Sequence, residues 1–139
     1  MSFARERRLL QGAVSVAALV PVLAGLAGVN GGLAAFDASA HASLSGDSHV
    51  RYLSGLILGI GVGFWSTVPS IEASAARFRL LTVLVLVGGL ARLYAVALSG
   101  LPGPAMLSGL IMELLIAPGL ALWRESLERR LAEAGMIFL

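Results

Sequence analysis

An arginine and a glutamate stand inside apolar runs where an isolated charge is costly. Arg92 lies within the run 80–99 and Glu113 within the run 105–123. The turn Leu101-Pro102-Gly103-Pro104 joins the two. Counted from that turn at ~1.5 Å per helical residue, both lie roughly 12–14 Å in from the same end. A lone charge near a bilayer centre costs about 2.5–3.5 kcal/mol on insertion scales, so the two are expected to neutralise each other. Such a pair can clamp two helices, or form a polar pocket for a small amphipathic molecule, or carry an ion or proton. The last suits it least, because a guanidinium beside a carboxylate favours the ionised form and removes a poised pKa. Gly88 and Gly89 precede Arg92 by one turn, and Gly109 precedes Glu113 by one turn, giving room for the guanidinium and a neighbouring helix. Pro118 lacks an N–H, which leaves the carbonyl of Leu114 free to accept from Arg92 or from a ligand.

Arg51 and Tyr52, with Ser54 one turn on, form a second polar group. They read either as an interfacial anchor, since both rings and guanidinia suit the headgroup level, or as a lid over the Arg92/Glu113 level. Gly55, Gly59 and Gly63 recur at i, i+4, i+8, with Gly61 added, a spacing that lets helices approach closely. They serve either packing within the chain or a contact with a second copy or partner subunit. Ala13, Ala17, Ala24 and Gly28 offer a matching small face. Trp65 and Trp123 read as aromatic-belt residues. Asp37, His41, Asp47 and His49 have metal-compatible chemistry, but their spacing predicts a solvated loop, and no metal is expected.

The remaining chemistry is narrowed by absence. There is no cysteine, which excludes thiolate sites and disulfides. All ten basic residues are arginine, so no lysine can form a Schiff base. No histidine falls in an apolar run, and no nucleophile–base pair or Gly-rich phosphate loop is visible. An enzyme is therefore not expected, and neither is a cofactor. The arginines form no basic stripe with interleaved aromatics, so no nucleic-acid partner is expected.

The elements that must hold these residues are membrane helices. The 139 residues are 58% hydrophobic and only 13% charged, against about 25% charged in a soluble domain. Four continuous apolar runs, 9–29, 52–68, 80–99 and 105–123, are near the ~20 residues a spanning helix needs. The second is short and glycine-rich. Continuous rather than alternating hydrophobicity points to helices, not strands. The start, Arg5-Glu6-Arg7-Arg8 before an apolar stretch, has signal-peptide features, but the stretch exceeds an h-region of about 7–15 residues, so a retained helix is expected. Arginines set the orientation: Arg5, Arg7 and Arg8 precede run 1, Arg77 and Arg79 follow run 2, and Arg124, Arg129 and Arg130 follow run 4. The prediction is one all-α domain over 1–139, an integral membrane four-helix up-down bundle with both termini cytoplasmic. The segment 30–51 is an outer loop, in which Leu33-Ala34-Ala35-Phe36 can form a short interfacial helix. The segment 124–139 is a helical cytoplasmic tail, with Glu125 and Arg129 paired at i,i+4 and Met136-Ile137-Phe138-Leu139 on headgroups or a partner.

Three stretches carry a family resemblance: His49-Val50-Arg51-Tyr52-Leu53-Ser54-Gly55 with Gly59, Gly88-Gly89-Leu90-Ala91-Arg92-Leu93, and Glu113 with Pro118. Together they resemble the domain of unknown function 4345 family of small bacterial integral membrane proteins, over roughly 10–124. The resemblance implies four helices in the bacterial inner membrane, with no assigned activity or cofactor. It also implies that Arg51, Tyr52, Ser54, Gly55, Gly88, Gly89, Arg92 and Glu113 belong to one shared feature. The expected role is non-catalytic: binding a lipid-like or amphipathic molecule, or acting as an accessory subunit of a larger complex. A small transporter ranks lower. Small multidrug exporters are four-helix proteins of similar length but depend on a carboxylate in the first helix, and the run 9–29 has none. Partners are membrane lipid and, as an open alternative, a homo-oligomer or larger complex.

Overall fold

The computed structural model describes residues 2–39 and 43–135, and these are entirely helix, turn and loop. Helix α1 (Phe3–Gly31) ends in a 3-10 turn (Gly32–Ala35). Helices α2 (Leu44–Thr67) and α3 (Ala75–Ser99) follow. Then α4 (Pro104–Ile111), a π-helical turn (Met112–Ile116) and α5 (Ala117–Glu133) run on as one rod, Pro104–Glu133. The chain is thus all-α with four rods. Three of them are long and apolar enough to cross a membrane: Phe3–Ala35, Ala75–Ser99 and Pro104–Glu133. The α2 rod is not among the three. Its first two turns carry Ser45, Asp47, Ser48, His49 and Arg51, and glycines dilute the rest.

Several expected boundaries move. The segment 30–51 is not one loop: α1 runs to Gly31 and α2 starts at Leu44. Ser43 explains the early start, because its Oγ caps the helix by accepting from the Gly46 N–H at 3.1 Å. The 3-10 turn covers most of the short helix expected at 33–36. The tail after 123 is no separate element but the continuation of the fourth rod. His41 and residues 136–139 lie outside the described residues.

The start of α1 and the end of α5 meet at one end of the bundle, the terminal end. There Leu10, Val14, Ala18, Phe64, Ile71, Phe78, Leu127 and Leu131 form the hydrophobic core. Phe64 and Phe78 pack edge to face with ring centroids 5.1 Å apart, a favoured aromatic geometry. Toward the opposite end, where the α3–α4 turn lies, burial fades, and no residue of α4 or the π turn is buried.

Successive rods run antiparallel, and glycines set the closest approach. A Cβ on Gly25 would lie 2.6 Å from the Leu58 backbone nitrogen, one on Gly28 would strike Ser54, and one on Gly61 would meet Val22 and the Ala18 carbonyl. These three positions hold α1 against α2 along its length. The α2–α3 contact is shorter. Gly63 takes the Leu81 side chain, and Arg77 donates to the Ser66 hydroxyl at 3.1 Å. Further toward the turn end, Gly59 and Gly55 on α2 and Gly88 on α3 have nothing within 4 Å of a would-be Cβ. The molecule is therefore two hairpins, α1/α2 and α3/α4, joined at the terminal end and parted at the turn end.

Candidate functional site

Arg92 comes from α3 and Glu113 from the π turn, and the structure brings them together as a fork. Arg92 Nε donates to Glu113 Oε2 at 3.0 Å, and Nη2 donates to Oε1 at 3.0 Å. Two parallel bonds between ionised partners are the strong form of this interaction. Nη1 approaches the Met106 sulfur at 2.9 Å. The side chains remain 29% and 22% exposed.

The local sequence builds this fork in three ways. Gly109 lies beneath the guanidinium, 3.8 Å from Cζ to where a Cβ would be. Gly89 makes room for the far side: a Cβ there would sit 2.8 Å from Leu114 and 2.9 Å from the Glu113 Cβ. The π turn precedes Pro118, and the Ala117 N–H reaches back to the Met112 carbonyl, a local readjustment typical of proline within a membrane-type helix. Gly88 does not contribute room for the guanidinium as expected; it faces open space. Nor does Arg92 bond the Leu114 carbonyl, since its three bonds go to Glu113 and Met106.

Arg51 is not a lid over this site. Its Nη1 donates to the carbonyls of Val29 at 2.6 Å and Asn30 at 2.9 Å, and its Nε donates to Asp47 at 2.7 Å. A cation thereby closes the C-terminal end of α1, where orphan carbonyls and the helix dipole favour positive charge. Asp47 completes the joint by accepting from the Leu33 N–H at 3.1 Å. The Arg51 hydrogen bond first, and the Leu33 N–H second, hold its carboxyl below the ordinary value of 3.8. Gly32 turns this corner at φ 58°, and a Cβ there would strike Asp47, so glycine is required. Tyr52 is exposed, and with Leu44, Ser45, Ser48 and His49 it lines a shallow concavity on α2. Ser54 is buried against Gly28. Of the expected glycine stripe, only Gly63 packs within the chain; Gly55 and Gly59 do not, and Gly61 takes the α1 contact instead. On α1, Gly25, Gly28 and Ala18 make that contact. Among the described residues no group of three or more metal-type side chains gathers.

The densest polar cluster was missed from the sequence. At the terminal end Glu6 is buried and accepts from Trp123 Nε1 at 3.0 Å and from both terminal nitrogens of Arg130. Helix α1 thus carries a carboxylate near its start, but a paired one. Arg124 is 2% exposed, and it donates to the carbonyls of Ile71 at 2.8 Å and Glu72 at 2.7 Å and to Glu128 at 2.8 Å. Arg7 pairs with Glu72 at 2.6 Å and Arg79 with Glu125 at 2.8 Å. Glu125 therefore serves α3 through its carboxylate, and Arg129 reaches only the Glu125 carbonyl. The available signal was Glu6, Glu72, Glu125 and Glu128 among the same arginines that set orientation. Both tryptophans bond α1, Trp123 through Glu6 and Trp65 through its Nε1, which donates to the Ser15 carbonyl at 3.0 Å.

Residues 9–124 match the sequence profile of the family described as Domain of unknown function (DUF4345). No curated protein and no solved structure matches the chain.

Proposed function

The chain belongs to the family described as domain of unknown function 4345, and from that premise we propose that it is a multi-pass membrane protein that binds a lipid-like, amphipathic molecule at Arg92. One observation carries the reading. A guanidinium has five N–H donors, and Arg92 uses three, two on Glu113 and one on Met106. Two remain on a side chain that is 29% exposed and surrounded by apolar helix surface. Donors left open in hydrocarbon are costly, and an oxygen on a bound molecule would satisfy them.

The proposed setting is the bacterial inner membrane, with α2 as a fourth, shorter span and both termini cytoplasmic. Support comes from the arginines, eight of which lie at the terminal end, against Arg51 alone at the other end of the α1/α2 hairpin. An accessory-subunit role is the second reading, favoured by the unpartnered Gly55 and Gly59 on α2. Native mass spectrometry of the protein extracted in a mild detergent tests binding: one co-purifying small molecule is expected, absent from the Arg92→Leu/Glu113→Leu double variant. Purification as part of a larger complex, with no small molecule, would favour the subunit reading. With no native cysteine to interfere, Ser39→Cys should react with an impermeant maleimide on intact spheroplasts, and Ser2→Cys only after lysis. The reverse pattern would invert the orientation.

A further inference from the structure

Arg79 of α3 lines one open cleft of about 580 Å³ at the terminal end together with Glu125, Glu128, Arg129 and Glu133 of α5. Most of these charges are committed within the fold. Arg79 Nε holds Glu125 at 2.8 Å, and Nη1 of the buried Arg124 holds Glu128 at 2.8 Å. Two are not. Arg129 makes one bond, from Nε to the Glu125 carbonyl at 3.4 Å, which leaves both terminal nitrogens open. Among the described residues Glu133 takes no hydrogen bond or ion pair. It feels Arg130 only at a distance, because Glu6 holds both terminal nitrogens of that arginine. Arg129 and Glu133 are i,i+4 neighbours but do not pair, and with the cation first this order is the weaker one. The cleft is neutral as a whole, yet it presents one unmated cation and one unmated anion.

These groups are ordered by level. The Arg79–Glu125 bond sets one level on both helices, and the exposed side chains a turn nearer the membrane centre are apolar, Val83 on α3 and Leu122 on α5. One turn outward, roughly 6 Å, stand Arg129 and the first turn of α3. That turn starts beside the cleft at Ala75 and has no side-chain cap from Ser74, so its leading N–H groups add positive potential. Glu133 stands one turn further out. On the proposed placement hydrocarbon ends near Arg79, and the headgroup layer, about 5–8 Å thick, falls at Arg129.

We propose that this cleft seats the headgroup of one aminophospholipid, its phosphate between Arg79 and Arg129 and its primary ammonium on Glu133; the proposal rests on the membrane placement given above and is independent of any ligand at Arg92. Phosphate oxygens accept from guanidinium N–H groups, and an ammonium brings three N–H donors to a carboxylate. The two-carbon link of an ethanolamine carries the head from one level to the next. A phosphatidylglycerol head would satisfy Arg129 but set its negative charge against Glu133. A choline head has the right charges but no N–H to give Glu133.

The full chain in dodecyl maltoside micelles provides the test. Native mass spectrometry would follow dioleoyl phosphatidylethanolamine, phosphatidylglycerol and phosphatidylcholine supplied in equal amounts. The ethanolamine lipid is expected to bind at least about fivefold better than either of the others, the worth of one charge-assisted contact at an exposed site. Arg129→Gln should weaken it by a similar factor, and Glu133→Arg should reverse the preference toward phosphatidylglycerol. Both side chains are exposed and neither holds another helix, so the unfolding midpoint should stay fixed. Equal binding of the three lipids, or an ethanolamine preference unchanged in both variants, overturns the site. Displacement of the lipid by an equal concentration of soluble glycerophosphoethanolamine overturns a membrane lipid as its occupant. The Arg92→Leu/Glu113→Leu variant should keep the preference, and its loss there would overturn the assignment to this cleft. Micelles impose no orientation, so an inverted labelling pattern and a missing lipid preference are separate results.

Discussion

Replacing Arg92 with leucine should expose how the α3/α4 hairpin is held together. The substitution removes two hydrogen bonds of 3.0 Å and leaves the Glu113 carboxylate without a mate. At 29% and 22% side-chain exposure the pair stands between surface pairs, worth about 0.2–1 kcal/mol, and buried ones, whose breaking costs about 3–5 kcal/mol. The exposed part meets hydrocarbon rather than water on the proposed membrane placement, which moves the expectation toward the upper range, about 3 kcal/mol. Glu113→Leu should cost less, about 2 kcal/mol, because a long arginine can bend toward the interface. The double variant replaces both charges with apolar volume and should return to within about 1 kcal/mol of wild type. The resulting coupling, about 4 kcal/mol, is read from equilibrium unfolding in mixed dodecyl sulfate–maltoside micelles, monitored by circular dichroism. Gly89→Ala offers an independent route to the same fork. Its methyl would press on Leu114 and the Glu113 Cβ, so it should destabilise while leaving both charges in place. An Arg92→Leu cost below about 0.5 kcal/mol, or singles that simply add in the double, would refute the clamp.

Gly61→Ala should cost about 1–3 kcal/mol as an overpacking substitution, because its methyl meets Val22 and the Ala18 carbonyl, whereas Gly55→Ala should be neutral or mildly stabilising; unfolding midpoints compare the two. Arg124→Met leaves one buried and one part-buried loop carbonyl without donors, so a loss of about 3 kcal/mol is expected, with faster amide exchange across residues 68–74. Asp47 has a depressed pKa, so its hold on the α1/α2 corner is complete above the ordinary aspartate value and fades as pH falls below about 4. The Leu33 amide resonance should titrate in that acidic range and stay fixed in Asp47→Asn.

What the sequence made legible was what burial cost alone decides. Arg92 and Glu113 stood out because charge in an apolar run demands an explanation, and hairpin counting set them at one level. Arginine placement marked the ends of the rods for the same reason. The helix starts were less legible, since Ser43 capping α2 is a single hydroxyl among many polar residues in 37–49. The lid reading of Arg51 failed because its partners are backbone carbonyls of another helix, and a sequence does not show which carbonyls a turn leaves open. The glycines were misassigned for a related cause. Period four identifies a small face, but which of Gly59 and Gly61 meets α1 depends on a rotation of α2 that only packing fixes. Arg124 was counted as a topological charge, although it is 2% exposed and donates to the carbonyls of the α2–α3 loop.

The Pro104–Glu133 rod is 30 residues long, about 45 Å at helical rise, against a hydrocarbon layer of about 30 Å. On the proposed orientation its last third stands in the cytoplasm, and Leu127 and Leu131, with Ile71 and Phe78, come together near that water. Water is the only solvent that drives apolar groups together; acyl chains do not. The protein is thus a hybrid, with a waterborne knot tying helices whose upper stretches are held mainly by glycine contacts and one fork. Shortening the chain at Trp123 would cut away part of that knot, and on the proposed placement the membrane segments would be left inserted but free to part company.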